Sequence, residues 1–371
     1  MSSVFWCSSC LTMSTRNRIT FDQQKRCNAC QWAEKKKKLD WSFRKSQLEE
    51  LLDKNRSNNK NFDCLVPVSG GKDGGYVSYQ LKEKYGMNPL CITVRPPLQL
   101  EIGYQNLKNF INSGFSLISV DTDIHTMQYL NKLGLVDMGL PYFGWLVAIQ
   151  SVPIRFANYL GINLIFYGED GEVEYGGSEE TNKTYHHDVD YMKKVYFEGG
   201  YDEILSQAAS KGLNGLELFR FPPDSDLEES ELKILHWSYF ENWDPYRNYL
   251  VSKEHCGLLE NDETNSGTFT NFAQNDQALY SLHTYLMYLK FGFGRANQDA
   301  CIDIRRGAMD REQGVNLVKL YDGQYPDEFI DLYLDYYQIS KKYFDEILDK
   351  WTNPKLFKKV NNELIPLFEI T

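Results

Sequence analysis

An apolar run that passes into a glycine-rich loop and then into a helical segment is the feature that most limits the fold of this chain. The run is Phe62 to Val68, the loop spans Ser69 to Gly75, and the pattern predicts a helix from Tyr76 to Tyr85. In this context backbone N–H groups and a helix N-terminus can surround a phosphate, and the adjacent glycines Gly70 and Gly71 let the backbone approach the anion. The loop lacks the Lys-Ser/Thr end of a Walker loop and the spaced glycines of a dinucleotide-binding fold. We predict a phosphate site here, with a simple glycine-rich turn as the alternative.

Further apolar runs, separated by helix-length segments, predict a parallel β-sheet. These runs are Leu90 to Val94, Leu117 to Val120 and Asn163 to Tyr167. Strands that alternate with helices form a parallel sheet with right-handed crossovers. We therefore predict an α/β fold with helices on both faces of the sheet.

Two C-x-x-C pairs near the start of the chain predict a metal site. Cys7 and Cys10 form the first pair, and Cys27 and Cys30 form the second. Zn²⁺ prefers four thiolates in a tetrahedron, and each C-x-x-C turn supplies two of them. Disulfides or a redox pair are the alternatives, which a long chain without secretory features disfavours. We predict a structural zinc ribbon whose folding energy comes from the metal.

Two adjacent carboxylates follow the fourth predicted strand. Glu169 and Asp170 come after Asn163 to Tyr167 and one glycine. The carboxyl ends of parallel strands are where α/β sheets bind ligands. Together with Asp73, these oxygen ligands suit the Mg²⁺ that screens triphosphate charge. An acidic turn that faces solvent is the alternative.

Charge and apolar patterning exclude several classes of protein. The formal net charge of −11 argues against a general nucleic-acid binder, because affinity for the phosphate backbone comes from clustered Lys and Arg. The start of the chain does not resemble a signal peptide. The most apolar region, Gly139 to Ile154, is interrupted by polar and proline residues and is shorter than the ~20 residues that span a bilayer. We expect a cytoplasmic protein that does not insert into membranes and has no nucleic-acid partner.

The glycine loop resembles the S-G-G-x-D-S signature of the PP-loop ATP pyrophosphatases, with Gly74 in place of the final serine. This family has an adenine nucleotide alpha hydrolase-like α/β fold and splits ATP between its α and β phosphates. The resemblance implies that ATP and pyrophosphate bind at a set of six residues. They are Ser69, Gly70, Gly71, Lys72, Asp73 and Gly74. Loss of the serine hydroxyl removes one pyrophosphate contact but leaves the backbone contacts.

Four segments spread along the chain are similar to the N-acetyl sugar amidotransferases of bacterial surface-polysaccharide (LPS O-antigen) synthesis. They are Tyr142 to Trp145, Gly168 to Gly177, Trp243 to Tyr246 and Phe291 to Gly307. This resemblance implies that ATP adenylates the acetamido oxygen of a nucleotide-linked or acidic sugar and that ammonia then forms the acetamidino group. We predict catalytic roles for Lys72, Asp73, Glu169 and Asp170.

The ammonia is expected to come from another protein. The cysteines outside the ribbon, Cys64, Cys91, Cys256 and Cys301, show no glutaminase nucleophile motif. The resemblance implies a glutaminase and a cyclase-like barrel as partners, both similar to the subunits of imidazole glycerol phosphate synthase.

Several arginines and histidines are further candidates for the site. Arg295, Arg305 and Arg306 are predicted to bind the sugar, because a planar guanidinium can grip a phosphate or carboxylate by paired hydrogen bonds. Arg95 follows the second predicted strand and is expected to reach the nucleotide. Surface ion pairing is the alternative for these arginines. His186 and His187 either handle protons or are loop residues without a catalytic role.

The pattern divides the chain into three parts. We predict a zinc ribbon over residues 1–40, a PP-loop ATP-binding domain over 41–200, and a mainly helical region over 201–371 for substrate and partner contacts. The helical segments of the last part include Leu227 to Trp237, Gln277 to Phe291 and Phe329 to Tyr337.

Two other functions are compatible with parts of this pattern. A tRNA thiolation enzyme can combine a zinc ribbon with the same ATP loop, but such enzymes commonly add further cysteines and a basic surface. A non-catalytic assembly protein with a relic loop is the second possibility, and Gly74 in place of serine motivates it. Binding of tRNA at physiological salt tests the first, and ATP turnover to AMP tests the second.

Overall fold

A mainly parallel β-sheet organises the fold in this computed structural model, which describes residues 4–57, 61–361 and 363–371. The first three residues of the predicted ribbon lie outside the described part of the chain. Within these ranges the main sheet has six strands, β1 (Cys64–Pro67), β2 (Pro89–Val94), β3 (Ser116–Val120), β4 (Leu164–Tyr167), β5 (His186–His187) and β6 (Lys233–His236). Their order is β3-β2-β1-β4-β6-β5, and neighbouring strands are parallel except for β5 with β6.

Helices surround this sheet and dominate the C-terminal half. The helices up to residue 160 are α1 (Asn28–Lys36), α2 (Trp41–Lys54), α3 (Lys72–Tyr79), α4 (Glu101–Asn112), α5 (Ile124–Leu133) and α6 (Phe143–Leu160). The next are α7 (Gly171–Tyr175), α8 (Val189–Tyr191), α9 (Tyr201–Ser210) and α10 (Asp224–Glu229). The last are α11 (Pro245–Cys256), α12 (Leu279–Phe291), α13 (Arg295–Arg306), α14 (Arg311–Tyr321), α15 (Ile330–Tyr337) and α16 (Lys341–Trp351). A hairpin, β7 (Phe357–Val360) and β8 (Glu363–Pro366), follows them.

Short segments of π or 3₁₀ helix extend or connect these elements. They are Gln80–Lys84, Gly134–Met138, Met192–Tyr196, Leu216–Phe219, Trp237–Tyr239 and Asp327–Phe329. Helices α12 and α15 confirm two of the helices predicted beyond residue 200. None of the helices in the described ranges combines the length and the apolar character that crossing a bilayer requires.

The four predicted strands are confirmed as β1 to β4. They are nearly continuous apolar runs because the central strands of a parallel sheet are covered on both faces. Every residue of β2 is buried. Leu65 in β1 pairs with Leu90 on one side and with Ile165 on the other.

The predicted helix from Leu227 to Trp237 is wrong over its second part, where strand β6 lies, while its first residues belong to α10. Ile234 and Leu235 are buried, and β6 pairs in parallel with β4. A run as short as β6 has no periodicity that distinguishes a strand from a helix. Its pairing partner, β4, is also distant in the sequence. The sheet therefore includes a strand beyond residue 200, the predicted limit of the α/β domain.

Alternate residues of each strand contribute to two hydrophobic clusters, one on each face of the sheet. In β1, Leu65 belongs to one cluster, while Cys64 and Val66 belong to the other. The first cluster includes residues of α5, α6, α9 and α12, and the second includes residues of α2, α3 and α11. This alternation is the two-residue period of a strand. The prediction that helices cover both faces is confirmed.

The cysteine-rich segment packs against the helical region. Trp6 Nε1 donates a hydrogen bond to the carbonyl oxygen of Glu369 at 2.7 Å. Asn297 Nδ2 in α13 donates to the carbonyl oxygen of Leu11 at 2.8 Å. These contacts bind the segment to α13 and to the end of the chain.

Candidate active site and metal centre

The glycine loop joins the end of β1 to helix α3 in a conformation that requires glycine. Gly70 has a φ of +86°, and a Cβ atom there would lie 2.7 Å from the backbone nitrogen of Leu107. Helix α3 begins at Lys72, earlier than the predicted start at Tyr76. Lys72 and Asp73 therefore lie in the first helical turn, where backbone N–H groups have no intrahelical partner and attract anions.

Close packing accounts for the glycine that replaces the final serine of the signature. A Cβ atom on Gly74 would lie 3.0 Å from the carbonyl oxygen of Pro67 and 3.0 Å from a methyl group of Val68. A serine at this position has to displace the end of β1. The departure from the signature is therefore consistent with tight contact between α3 and β1.

Several charged side chains meet beside this loop in a cavity of about 260 Å³, which we call the phosphate pocket. Lys72 Nζ lies 2.5 Å from Asp73 Oδ2. Glu169, after β4, and Arg295, the first residue of α13, line the same pocket. Burial alone would lower the pKa of Lys72, but Asp73 and Glu169 raise it above its ordinary value. The lysine therefore remains a cation beside the loop.

The carboxylates of Asp73 and Glu169 both face the phosphate pocket. Burial, followed by the charge of Asp73, raises the pKa of Glu169. The hydroxyl of Tyr175 donates to Glu169 Oε1 at 2.9 Å. Two partly buried carboxylates that repel one another fit a hard divalent cation, and Mg²⁺ is the ion that accompanies phosphates. These two residues therefore fit the predicted magnesium ion.

Asp170, the third predicted magnesium ligand, does not line the phosphate pocket. Its Oδ1 accepts the backbone N–H groups of Glu172 at 3.1 Å and Val173 at 3.3 Å, which caps α7. Its Oδ2 accepts the hydroxyl of Thr181 and lies 3.5 Å from His236 Nδ1. Burial would raise the pKa of Asp170, but His236 and Thr181 lower it below its ordinary value. The oxygens of Asp170 therefore cap α7 and contact Thr181 and His236, and they do not line the phosphate pocket.

Two of the three predicted sugar-binding arginines lie near the phosphate pocket. Arg295 lines the pocket and donates from Nε to Asp299 Oδ1 at 2.8 Å. Arg306, at the other end of α13, pairs with Asp303 at 2.7 Å. Its guanidinium carbon lies 5.0 Å from the ring centre of Tyr246.

Arg305 and Arg95, the remaining predicted arginines, lie outside the phosphate pocket. Arg305 Nη1 donates to Cys10 Sγ at 3.7 Å, which places this guanidinium at the cysteines of the ribbon. Arg95 Nε pairs with Asp121 Oδ1 at 2.7 Å, and its side chain is 52% exposed. The surface pair of Arg95 corresponds to the alternative that the sequence left open.

A loop that the sequence analysis missed forms one wall of the phosphate pocket. It comprises residues 272–276. Within the described ranges, Asn275 Nδ2 and Asp276 Oδ2 are buried without a hydrogen-bond partner. Burial also raises the pKa of Asp276 to about 6. Unpartnered buried polar atoms indicate a ligand that supplies the missing hydrogen bonds.

An apolar cavity of about 250 Å³, the apolar pocket, adjoins the phosphate pocket. The two share Pro67, Ser69 and Tyr280. The apolar pocket is walled by Trp145, whose Nε1 donates to the carbonyl oxygen of Val94 at 3.2 Å. A flat apolar ring in the apolar pocket and a phosphate group in the phosphate pocket would fit this pair of cavities.

On another side, a cavity of about 190 Å³, the bridging pocket, shares Lys72 and Arg295 with the phosphate pocket. It continues at Arg306 into a cavity of about 300 Å³, the basic pocket. The aromatic and cationic residues of the basic pocket are Trp32, Lys36, Lys37, Trp41, Tyr175, Trp243, Arg305 and Arg306. This series of cavities suits an anionic molecule that extends away from the phosphate loop.

The four cysteines of the predicted ribbon form a buried cluster that could hold a metal ion such as zinc. Their sulfur atoms all lie within 4.8 Å of one another. Cys7 Sγ is 3.8 Å from Cys30 Sγ, and Cys10 Sγ is 3.7 Å from Cys27 Sγ. Four sulfurs at about 2.3 Å from a central Zn²⁺ are about 3.8 Å apart in a tetrahedron. The cluster therefore has the dimensions of a Cys₄ zinc site.

Hydrogen bonds and charge around the cluster favour the thiolate forms of Cys7 and Cys10. The backbone N–H of Cys27 donates to Cys7 Sγ at 3.2 Å, and that of Thr12 donates to Cys10 Sγ at 3.4 Å. The neighbouring thiols Cys27 and Cys30 lower the pKa of Cys10 well below its ordinary value. Arg305 adds a positive charge beside Cys10, which balances part of the negative charge of the thiolates.

The two adjacent histidines lie in strand β5 rather than in a loop. His186 is exposed, and its Nδ1 is 3.1 Å from the hydroxyl of Thr184. His187 is buried and stacks on His236 with ring centres 4.3 Å apart. Neither lines the phosphate pocket.

Comparisons with known proteins link the last part of the chain to surface polysaccharides. Residues 266–370 match a family model described as "LPS biosynthesis protein WbpG-like, C-terminal domain". The uncharacterized protein MJ1599 of Methanocaldococcus jannaschii is 29% identical over 104 residues, which are 28% of this chain and 37% of that protein. The chain thus covers little more than a third of the length of that relative.

The segment matched by the family model includes the loop at residues 272–276 and the arginines Arg295 and Arg306. It therefore supplies walls of the phosphate and bridging pockets. The match supports a role for the chain in polysaccharide biosynthesis, which is the coarser part of the predicted function.

Proposed function

We propose that this protein is an ATP-dependent amidotransferase of surface-polysaccharide synthesis, which converts the acetamido group of an acidic or nucleotide-linked sugar into an acetamidino group. One observation carries the proposal. The glycine loop and the first turn of α3 face Glu169 and Arg295, and Arg295 belongs to the segment that matches LPS biosynthesis proteins. A phosphate site and a polysaccharide-related segment thus share one pocket.

ATP is proposed to lie across the phosphate and apolar pockets. Lys72, Arg295 and the N–H groups of α3 neutralise the β and γ phosphates, and the adenine ring packs near Trp145. Asp73 and Glu169 would hold a Mg²⁺ ion that screens the triphosphate. The α phosphate then falls where the two pockets join, at Ser69.

The proposed reaction has two steps. The amide oxygen of the acetamido group attacks the α phosphorus, and the bond to pyrophosphate breaks. The nitrogen lone pair of ammonia then attacks the imidate carbon, the C–O bond breaks, and AMP departs with the electron pair. One N–H proton passes to the departing phosphate oxygen, and the product retains the other hydrogens as an amidinium. Catalysis comes from cationic groups, which stabilise the negative charge that develops in the transition state and hold the reactants together.

The sugar is proposed to occupy the bridging pocket, with its anionic part toward the basic pocket. Lys36 and Glu174 form a buried ion pair at 2.6 Å, whereas the pairs of Lys37 with Glu34 and of Arg306 with Asp303 are more exposed, so Lys37 and Arg306 are better placed to exchange their partners for a ligand. Guanidinium and ammonium groups bind carboxylates and phosphates, and Trp and Tyr side chains can stack on sugar or base rings. A neutral acetamido sugar alone would make no use of these cations.

The ammonia is proposed to come from a partner glutaminase with a cyclase-like barrel. Burial raises the pKa of Cys91 and of Cys256 to about 12. It also raises the pKa of Cys64 and Cys301 well above the ordinary value. A nucleophilic cysteine needs the opposite shift. The cysteines outside the cluster are therefore poor glutaminase nucleophiles.

A product assay tests the proposed function. The purified protein is incubated with ATP, MgCl₂, ammonium chloride and a panel of UDP- and CMP-linked acetamido sugars. We expect AMP and pyrophosphate to form together with a sugar in which NH replaces oxygen, as detected by mass spectrometry. Formation of ADP, or no nucleotide turnover with any sugar, would count against the proposal. Tight tRNA binding at physiological salt would favour the thiolation alternative.

Replacing Arg306 by glutamine tests the position of the sugar. We expect the KM for the acidic or nucleotide-linked sugar to rise about tenfold with little change in kcat, because the variant loses binding that is common to ground and transition states. Lys45→Gln is a matched control, since this exposed lysine on α2 pairs with Glu49 across the helix surface. An unchanged KM in the Arg306 variant contradicts the placement of the sugar.

A further inference from the structure

A further cavity, the acidic pocket, reaches the active site from a different direction. It has a volume of about 440 Å³. Its charged residues are Arg18, Glu169, Glu172 and Glu198. Glu169 is the proposed magnesium ligand, so Glu172 and Glu198 are the carboxylates left to face one guanidinium, and about one negative charge remains. This charge favours a cation and disfavours an acidic sugar.

The mouth of the acidic pocket is formed by an ion-pair bridge. Arg18 Nε lies 2.9 Å from Glu172 Oε2, and Arg18 Nη1 lies 3.1 Å from Glu198 Oε1. The Glu198 side chain is 46% exposed, so the bridge is at the surface. The three residues come from separate segments of the chain, so the fold brings their charges together at the pocket.

The inner end of the acidic pocket touches both parts of the proposed ATP site. It shares Gln150 and Tyr167 with the apolar pocket and Glu169 with the phosphate pocket. The proposed α phosphate lies where those two pockets join. A small molecule in the acidic pocket therefore approaches the atoms at which the adenylated oxygen forms.

One buried polar atom at this inner end has no partner. Gln150 on α6 is 8% exposed, and within the described ranges its Oε1 accepts no hydrogen bond. Leaving a buried acceptor unpaired costs about 1–3 kcal/mol. Because Gln150 lines both the acidic and the apolar pockets, a ligand with N–H groups in either can satisfy it.

We infer that the acidic pocket is the route by which ammonia enters the active site as an ammonium ion, and that Gln150 Oε1 accepts one of its N–H groups. The inference rests on the proposed function. The ammonium ion releases one proton to solvent in the pocket, and the nitrogen lone pair then attacks the imidate carbon. Charge thus separates the two co-substrates, because the anionic sugar meets the basic pocket and the cation meets the acidic one.

The first test replaces Gln150 by methionine, which keeps the length of the side chain and removes the acceptor. Ammonium chloride is the probe, at saturating ATP and sugar. We expect the KM for ammonium to rise about tenfold. Pyrophosphate exchange into ATP, measured with sugar and without ammonium, reports adenylation alone and shows whether the substitution also disturbs the apolar pocket that Gln150 lines.

The second test removes the charge at the mouth with Glu198→Gln, which affects a surface residue and leaves the core intact. We expect the KM for ammonium to rise about threefold at low ionic strength and the difference to vanish at high salt, because screening weakens exposed charges. Glu50→Gln on α2 is the matched control, since Glu50 is 68% exposed and pairs with Lys54 on the helix surface.

The outcomes separate this inference from the proposed function. If the wild-type protein forms no AMP in the presence of ammonium, the proposed function fails. If it does form AMP, an unchanged KM for ammonium in both variants overturns the entry route. A rise in the KM for ATP in the Gln150 variant, or for the sugar in the Glu198 variant, also overturns it, because the pocket then serves another substrate.

Discussion

Replacing Asp73 by asparagine is expected to lower the rate of pyrophosphate formation at least about a hundredfold, a loss of about 2.7 kcal/mol of transition-state stabilisation. Asp73 pairs with Lys72 and faces Glu169 across the phosphate pocket. The change keeps the shape of the side chain but removes the charge that orients the lysine and that would bind Mg²⁺. Turnover of ATP to AMP, measured at saturating sugar and ammonium, gives the rate.

Asp53→Asn is the matched control for this variant. Asp53 is 71% exposed and pairs with Arg56 on the surface of α2, far from the pocket in the fold. Both variants should unfold at nearly the same temperature as the wild type. A rate for the Asp73 variant within a few-fold of the control would remove the carboxylate from the proposed chemistry.

Removing the metal from the ribbon is expected to lower the melting temperature by at least about 5 °C and to open the cysteine-rich segment before the rest of the chain. The segment buries Trp6, Leu11 and Met13, but its sulfur atoms repel one another as thiolates without a cation. We expect about one zinc ion per chain from elemental analysis. Protease sensitivity near Cys10 before and after chelation measures the opening.

Cys10→Ser should mimic chelation, whereas Cys256→Ser should retain the full zinc content. Cys256 is also buried, but it belongs to the cluster between α2, α3 and α11. The comparison separates loss of a metal ligand from loss of a buried thiol. Full zinc content in the Cys10 variant would show that the four cysteines do not act together.

The parts of the fold that were predictable depend on short-range patterns. The apolar runs of β1 to β4 are buried on both faces, so their composition identifies them as strands. The glycine loop and the C-x-x-C pairs impose local geometry that few residue types satisfy, and Gly70 is an example. The structure accordingly bears out the sheet and the cysteine cluster.

The parts that were not predictable depend on pairing across long distances in the sequence. Strand β6 is recognisable only beside β4, and Arg305 has a role at the ribbon because α13 lies against it. Asp170 follows Glu169 directly, yet capping of α7 directs its side chain elsewhere. The loop at residues 272–276 has no motif that links it to the phosphate loop.

Helix α13 connects the phosphate pocket with the cysteine cluster. Arg295 lies at its first turn beside the phosphate loop, and Arg305, near its last turn, touches Cys10. A helix of this length is a stiff rod of about 18 Å. The cysteine cluster therefore anchors one end of a rod whose other end places a guanidinium beside the phosphate loop, so the helix fixes the separation of the two sites.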